Sequence, residues 1–229
     1  MNAPDRATLS VNGASLLCDP EGVLFWPERE TLVVSDLHLE KGSAFAVRGQ
    51  FLPPYDTAAT LARLDATLRR LRPRRVICLG DSFHDPDAPA RLSDGDGATI
   101  RALTAAHDWI WICGNHDPAP PEAWGGRAEQ EVVLGGLRFR HEPSDRGSGT
   151  GEICGHFHPK ATVVTRAKRI SGRCFVTDGR RLILPAFGAY TGGLNVLDPA
   201  IAGLFKKSFQ VRVLGRRKTF AFPREALAF

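Results

Sequence analysis

Three times in the first half of the chain a short apolar run, rich in β-branched or aromatic residues, stops at a metal-capable side chain. This repetition constrains the fold more than any other feature. Thr31-Leu32-Val33-Val34 runs into Ser35-Asp36-Leu37-His38, Arg75-Val76-Ile77-Cys78-Leu79 into Gly80-Asp81, and Trp109-Ile110-Trp111-Ile112-Cys113 into Gly114-Asn115-His116-Asp117. Runs this short, without polar alternation, read as strands buried on both faces. Between the first two, Leu61, Leu64, Leu68 and Leu71 recur at spacings of three and four. This predicts an amphipathic helix over roughly residues 57–72, with Asp56 as N-cap and Pro73 as its stop. A weaker helical pattern covers about 97–107. Strand, helix, strand, helix, strand implies parallel strands joined by right-handed crossovers. Ligands of such sheets gather at the carboxyl ends of the strands, where all three polar clusters fall.

The rest of the chain reads differently. Residues 7–17 and 22–26 are β-like, with Asn12-Gly13 as a hairpin turn. If residues 36–38 stay extended, Asp36 and His38 point the same way and grip one ion. Residues 40–54, broken by Gly42, Gly49, Pro53 and Pro54, read as an irregular loop beside the site, carrying Lys41 and Arg48. From Glu131 onward helical periodicity disappears and short strands follow, over 132–141, 152–154, 162–165, 173–177, 181–184, 193–197 and 209–214.

At 229 residues and 43% apolar content, the chain is long enough for one substantial core, and 1–229 is read as a single domain. No basic start precedes an apolar segment, and no apolar run nears the roughly 18 residues of a membrane span. The five cysteines form no Cys-x-x-Cys pair and sit mostly in apolar runs, so a reduced, cytoplasmic protein is expected. Charge is uneven. Residues 160–229 carry fourteen Lys/Arg against three Asp/Glu, a net +11, leaving −6 for residues 1–159 out of the total +5. Twelve of these cations, from Arg166 to Lys218, follow the last histidine motif; they read either as a nucleic-acid contact or as a solvated face.

Of the seven histidines, only His107 lies in a helix-like run; His38, His84, His116, His141, His156 and His158 follow strands or sit beside Gly, Asp or Asn. Carboxylate and imidazole without thiolate suit Mn²⁺, Fe²⁺ or Zn²⁺. A carboxylate able to bridge, flanked by His and Asp, suits two ions about 3.5–4 Å apart, a pair that can hold a phosphoryl group and activate water. A histidine beside the pair, not itself a ligand, can protonate a leaving group.

Asp36-x-His38, Gly80-Asp81, Gly114-Asn115-His116-Asp117, His141 and Gly155-His156-x-His158 resemble, in order, the motifs of calcineurin-like metallophosphoesterases. The resemblance implies an α/β sandwich of two mixed β-sheets flanked by helices (α/β/β/α). It implies that Asp36, His38 and His158 hold a first metal, that Asp81 bridges, and that Asn115, His141 and His156 hold a second. His116 corresponds to the general acid. Where many phosphatases of the family have Gly-Asp-x-x-Asp-Arg-Gly, whose second Asp orients the catalytic histidine, this chain has His84. The Gly-Asp-x-Phe-His form is more similar to the nuclease subunit of double-strand-break repair complexes, so His84 is expected to assist catalysis on a diester. Leu24-Phe25-Trp26-Pro27, Asp36 through Gly42, Phe139 through Pro143, and Leu184 through Gly188 with Gly192 through Asn195 resemble the bacterial PdeM family. That family is linked to an ATP-dependent DNA ligase and a helicase-like partner.

Three readings follow. The first is a DNA-cutting phosphodiesterase with two divalent ions, Mn²⁺ foremost, in DNA repair. The second is a small-molecule or cyclic-nucleotide phosphodiesterase or phosphatase of the same fold. The third is a nucleic-acid-binding subunit with structural metals, which the general-acid position of His116 argues against. Oligomeric state is open, a homodimer being one option.

Overall fold

The computed structural model describes residues 7–120, 122–144, 149–164, 168–205 and 208–229. Arg166, Lys206 and Lys207 of the basic group lie outside these, as do Met1–Arg6 and Thr165.

The first sheet takes its strands in sequence order: β1 (Ala7–Val11), β2 (Ala14–Cys18), β3 (Leu24–Trp26), β4 (Thr31–Val34), β5 (Arg75–Leu79), β6 (Asp108–Ile112) and β7 (Arg127–Glu129). β1 to β4 pair antiparallel; β4 to β7 pair parallel. The parallel part is built on the three runs that end in polar clusters. The second sheet is also mixed. It comprises β8 (Glu131–Leu134), β9 (Leu137–Arg140), β10 (Gly151–Cys154), β11 (Lys160–Val164), β12 (Arg169–Thr177), β13 (Arg181–Ile183), β14 (Gln210–Leu214), β15 (Thr219–Pro223) and β16 (Leu227–Ala228). β10 pairs parallel with β9 and β13, and the other pairings are antiparallel. This is the sandwich of two mixed sheets that the motifs imply.

Alternation within the buried runs builds two cores from the same strands. Val33, Ile77, Leu79, Ile110 and Ile112 face the second sheet and meet Phe139, Ile153, Phe175 and Leu182. Leu32, Val34, Val76, Cys78, Trp109 and Trp111 face outward and are covered by Leu61, Leu64, Leu68 and Leu71, with Ile100 and Leu103. These six come from α2 (Asp56–Leu71) and α3 (Asp94–Ala106). Each leucine of that stripe contributes roughly 1.5–3 kcal/mol by leaving water.

Three local expectations need correcting. Asp56 does not cap α2; Tyr55 holds that position and Asp56 opens the helix. Its buried carboxylate instead accepts the Gly42 N–H at 2.9 Å. The stretch after Glu40 is not irregular throughout: α1 (Lys41–Val47) forms there. Gly42 is a close-approach residue rather than a breaker, because a Cβ on it would lie 2.6 Å from Asp56 Oδ1. Residues 193–197 form no strand and contribute only an isolated bridge from Asn195 to Lys160. Among the described residues no helix is long and apolar enough to cross a membrane.

Candidate dinuclear metal centre

The polar clusters lie where β4, β5 and β6 leave the first sheet, and the segments after β9 and β10 meet them from the second. The expected extended geometry at 36–38 is not what brings Asp36 and His38 together. Asp36 (φ 55°), His38 (φ 44°), Asp81 (φ 49°), His156 (φ 71°) and His158 (φ 47°) all have left-handed backbone. Such conformations cost of order 1–3 kcal/mol each and persist where surrounding bonds over-determine them. Here Asp36, His38 and Leu39 donate their N–H groups to the carbonyls of Gly80, Asp81 and Ser82, at 3.3, 2.9 and 2.9 Å. The β4 and β5 extensions stay joined while their side chains turn into one pocket.

Two sets of ligand atoms result. His158 Nε2 lies 3.2 Å from His38 Nε2 and 3.3 Å from Asp36 Oδ1. Asn115 Oδ1 is 3.0 Å from both His141 Nε2 and His156 Nδ1, which are themselves 3.2 Å apart. Asp81 Oδ2 stands between the sets, 3.8 Å from His38 Nε2 and 3.4 Å from His141 Nε2. Atoms that each sit about 2.1 Å from one ion are separated by roughly 3.0–3.4 Å, and the edges of both sets match. Lone-pair nitrogens this close need a proton or a cation between them, so the residues present fit two divalent ions. The oxygen and imidazole donors, without thiolate, suit Mn²⁺, Fe²⁺ or Zn²⁺.

Neighbouring hydrogen bonds aim each ligand. His141 donates Nδ1–H to the Leu79 carbonyl at 2.8 Å, which leaves Nε2 free to ligate. Asp36 accepts from the Ser35 hydroxyl at 2.5 Å and from the His156 N–H at 3.2 Å. Gly155 has to be glycine, since a Cβ there would run into Ser35 Oγ and Asp36 Oδ2. Asp81 accepts the His116 N–H on Oδ1 at 2.9 Å and keeps Oδ2 for the cluster.

Electrostatics follow from burial and this crowding. Burial opposes ionisation of Asp36, yet bonding and charge from His158, charge from His141 and the Ser35 bond outweigh it and hold the carboxyl below its ordinary value. Asp81 is likewise brought to about 2, where His141, the His116 N–H and His38 overcome burial. Burial drops His38 to about 3 despite the attraction of Asp36 and Asp81. His141 rises to about 9 against burial because Asp81 and Asp36 favour its cation.

His116 lies beside both sets. Its Nδ1–H donates to the backbone carbonyl of His84 at 2.7 Å, which fixes the ring and leaves Nε2 free. The two rings stack with centroids 5.3 Å apart and 22° between planes. His84 Nδ1 is 3.4 Å from His38 Nδ1. Burial, with the charges of Lys41, His116 and Arg48, lowers His84 to about 4, so it is neutral near pH 7. The group that orients His116 is therefore a main-chain carbonyl, which any residue at position 84 supplies and no side-chain motif advertises.

One residue of the site went unassigned in the sequence although it lies inside a motif. Asp117, buried, accepts N–H groups from Asp81 (2.8 Å), Ser82 (2.8 Å), Phe83 (3.2 Å) and Gly114 (3.1 Å), binding the β5 and β6 loops together. Burial raises its carboxyl to about 7, while the Phe83, Ser82 and Asp81 N–H groups pull the other way. His107 stands apart, its Nδ1–H donating to the Leu103 carbonyl at 2.9 Å.

The sequence profile of the Calcineurin-like phosphoesterase family matches residues 30–191. Among solved structures, the nuclease MPE of Pseudomonas putida aligns with a TM-score of 0.73 and 29% identity, over 96% of this chain and 100% of that one. The phosphoesterase Yfce from E. coli aligns over 86% of this chain and 99% of its own, with a TM-score of 0.43 and 14% identity. No curated protein matches the chain. The matched stretch contains Asp36, Asp81, Asn115, His116, His141, His156 and His158 on the strands and loops just described, and so the chain belongs to the calcineurin-like phosphoesterase family, as a metal-dependent phosphoester hydrolase.

Proposed function

We propose that the protein is a dinuclear phosphodiesterase that cuts DNA. The observation that carries this is the placing of Asp81 Oδ2 between two ligand triangles, with His116 beside them and oriented by the His84 carbonyl. Asp36, His38 and His158 hold one ion; Asn115, His141 and His156 hold the other; Asp81 belongs to both. Divalent ions bound there polarise a phosphoryl oxygen and lower the pKa of a water. As a water oxygen bonds to phosphorus, His116, protonated on Nε2 as well as on Nδ1, would give the Nε2 proton to the departing oxygen whose P–O bond breaks. His84 supports His116 through its carbonyl and the stacked ring.

Choice of DNA is supported by the likeness to the P. putida nuclease along the whole chain and by the absence of the Asp-Arg-Gly form at positions 84–86, where His84-Asp85-Pro86 stands. Work in DNA repair beside a DNA ligase and a helicase is what the resemblance of the Leu24–Pro27, Asp36–Gly42 and Phe139–Pro143 segments implies; the cytoplasmic reading rests on cysteines that sit in apolar runs without a Cys-x-x-Cys pair, and Mn²⁺ on the oxygen and imidazole donor set. The test is a panel of DNA, cyclic nucleotides, a phosphomonoester and a plain diester, each assayed with Mn²⁺, Fe²⁺ and Zn²⁺. Turnover of the phosphomonoester or cyclic nucleotide with DNA left intact would replace this reading by the small-molecule one. Salt-dependent DNA binding with no metal-dependent turnover would make the protein a binding subunit.

A further inference from the structure

Next to the metal centre, on the side of His84, lies an aromatic and cationic rim that none of these roles uses. α1 brings the Phe45 ring to 6.0 Å from that of His84, and Lys41 and Arg48, at the two ends of α1, are near enough to act on His84 electrostatically. Just beyond, Val47, Phe51 and Tyr55 are 77%, 86% and 69% exposed. The segment is held in place. The Gln50 N–H donates to the Phe45 carbonyl at 2.9 Å, and the Pro53 carbonyl accepts the Tyr55 N–H at 2.9 Å and the Tyr190 hydroxyl at 3.0 Å. An exposed phenyl adds nothing to the core, and exposed apolar side chains close together in the chain, on a segment that continues from the helix against His84, mark a contact surface. The adjoining cations select for an occupant with an anionic backbone and a flat apolar face, a description that a nucleotide meets.

We propose that Phe51 and Tyr55 form a stacking platform for a nucleobase of the strand being cut, with Arg48 on its phosphate. This rests on the phosphodiesterase reading and extends it from a bare diester to one that carries a base. Every base has a π-face, so such a platform adds affinity without reading sequence. The guanidinium of Arg48 adds charge where the backbone passes.

The test compares the parent with Phe51→Ala, Phe51→Leu and Phe51→Trp in the presence of Mn²⁺. Three substrates are used: an oligonucleotide, thymidine 5′-(4-nitrophenyl phosphate), and methyl 4-nitrophenyl phosphate, which has the same leaving group and no base. For Phe51→Ala, kcat/KM on the thymidine ester relative to the methyl ester should fall by about 5- to 160-fold, the range of a lost base–aromatic stack. Trp should restore the ratio and Leu should not. A ratio equal to the parent's in Phe51→Ala overturns the platform, as does rescue by Leu. A concentration-dependent change in sedimentation caused by Phe51→Ala would show a self-association face and overturns it too. If the parent prefers the thymidine ester yet cuts no DNA, the DNA reading fails and the platform stands. If the parent cuts DNA and Phe51→Ala matches it, the reverse holds.

Discussion

At the scale of single residues, Asp81 and His116 divide the work in a way that can be measured. Asp81 Oδ2 faces His38 of one ligand set and His141 of the other, so on the proposed assignment Asp81→Asn should weaken the hold on both ions at once. The amide keeps the shape but loses the charge that two cations would share. Metal analysis of the purified variant should show less than full occupancy, with turnover lost; two equivalents of metal and normal turnover would end the bridging assignment. His116 is different, since its ring is fixed by a carbonyl and its Nε2 is left for substrate. His116→Ala should retain both metals and lose roughly 10²–10⁴-fold in kcat on DNA, the usual size for a general acid. The loss should shrink on a nitrophenyl diester, whose leaving group needs little protonation. Equal losses on good and poor leaving groups would reassign His116 to phosphate stabilisation. The identity of these residues was legible in the sequence because Asp, His and Asn stood at the ends of apolar runs. Their backbone was not. Left-handed φ at Asp36, His38, Asp81, His156 and His158 is imposed by bonds between loops far apart in the chain, and no local pattern announces it.

At the scale of elements, the loops after β5 and β6 depend on a single carboxylate. Asp117 accepts four backbone N–H groups, and a buried donor left without a partner costs about 1–3 kcal/mol. Asp117→Ala strands several at once and should destabilise the protein by at least 3 kcal/mol. Asp81 and Asn115 should also lose their alignment, so metal affinity should fall together with the denaturant midpoint. An Asp117→Ala protein with the parent's midpoint and full metal content would mean that these bonds add nothing. This anchor sits inside the Gly114–Asp117 motif, but its partners are main-chain atoms, which leave no signature in the order of side chains beyond its place in the string. β4 and β5 were readable to the residue because both faces are buried and the runs are uniformly apolar. α1 was hidden by Gly42, which looks like a helix breaker until Asp56 is seen lying against it. Short edge elements such as β7 and β16 carry too few residues for any period to show.

At the scale of the whole molecule, the uneven charge acquires a direction. Arg181 belongs to the interior, where it is paired with Glu152 at 2.5 Å and cannot meet a ligand. Arg173 is held against the Ala186 carbonyl at 2.8 Å. Arg216, Arg217 and Lys218, by contrast, are exposed in the turn between β14 and β15. That turn lies at the metal end of the second sheet: Val213 of β14 pairs with Cys174 of β12, and Cys174 donates its N–H to the Pro159 carbonyl, next to His158. From the other sheet, a Cβ on Gly22 would lie 3.2 Å from the Leu214 side chain, so the turn stands at the seam between the two sheets. If these three cations neutralise phosphates, replacing them together with Ala lowers DNA affinity and flattens the plot of log affinity against log salt. Each lost contact removes about 0.7–0.9 from the slope, and three contacts would remove roughly 2–3. The ratio of DNA cleavage to cleavage of methyl 4-nitrophenyl phosphate should drop as well, because only the long substrate reaches the turn. An unchanged slope and ratio in the triple variant would leave the turn a solvated face, and the phosphate path would then have to run past Lys41 and Arg48.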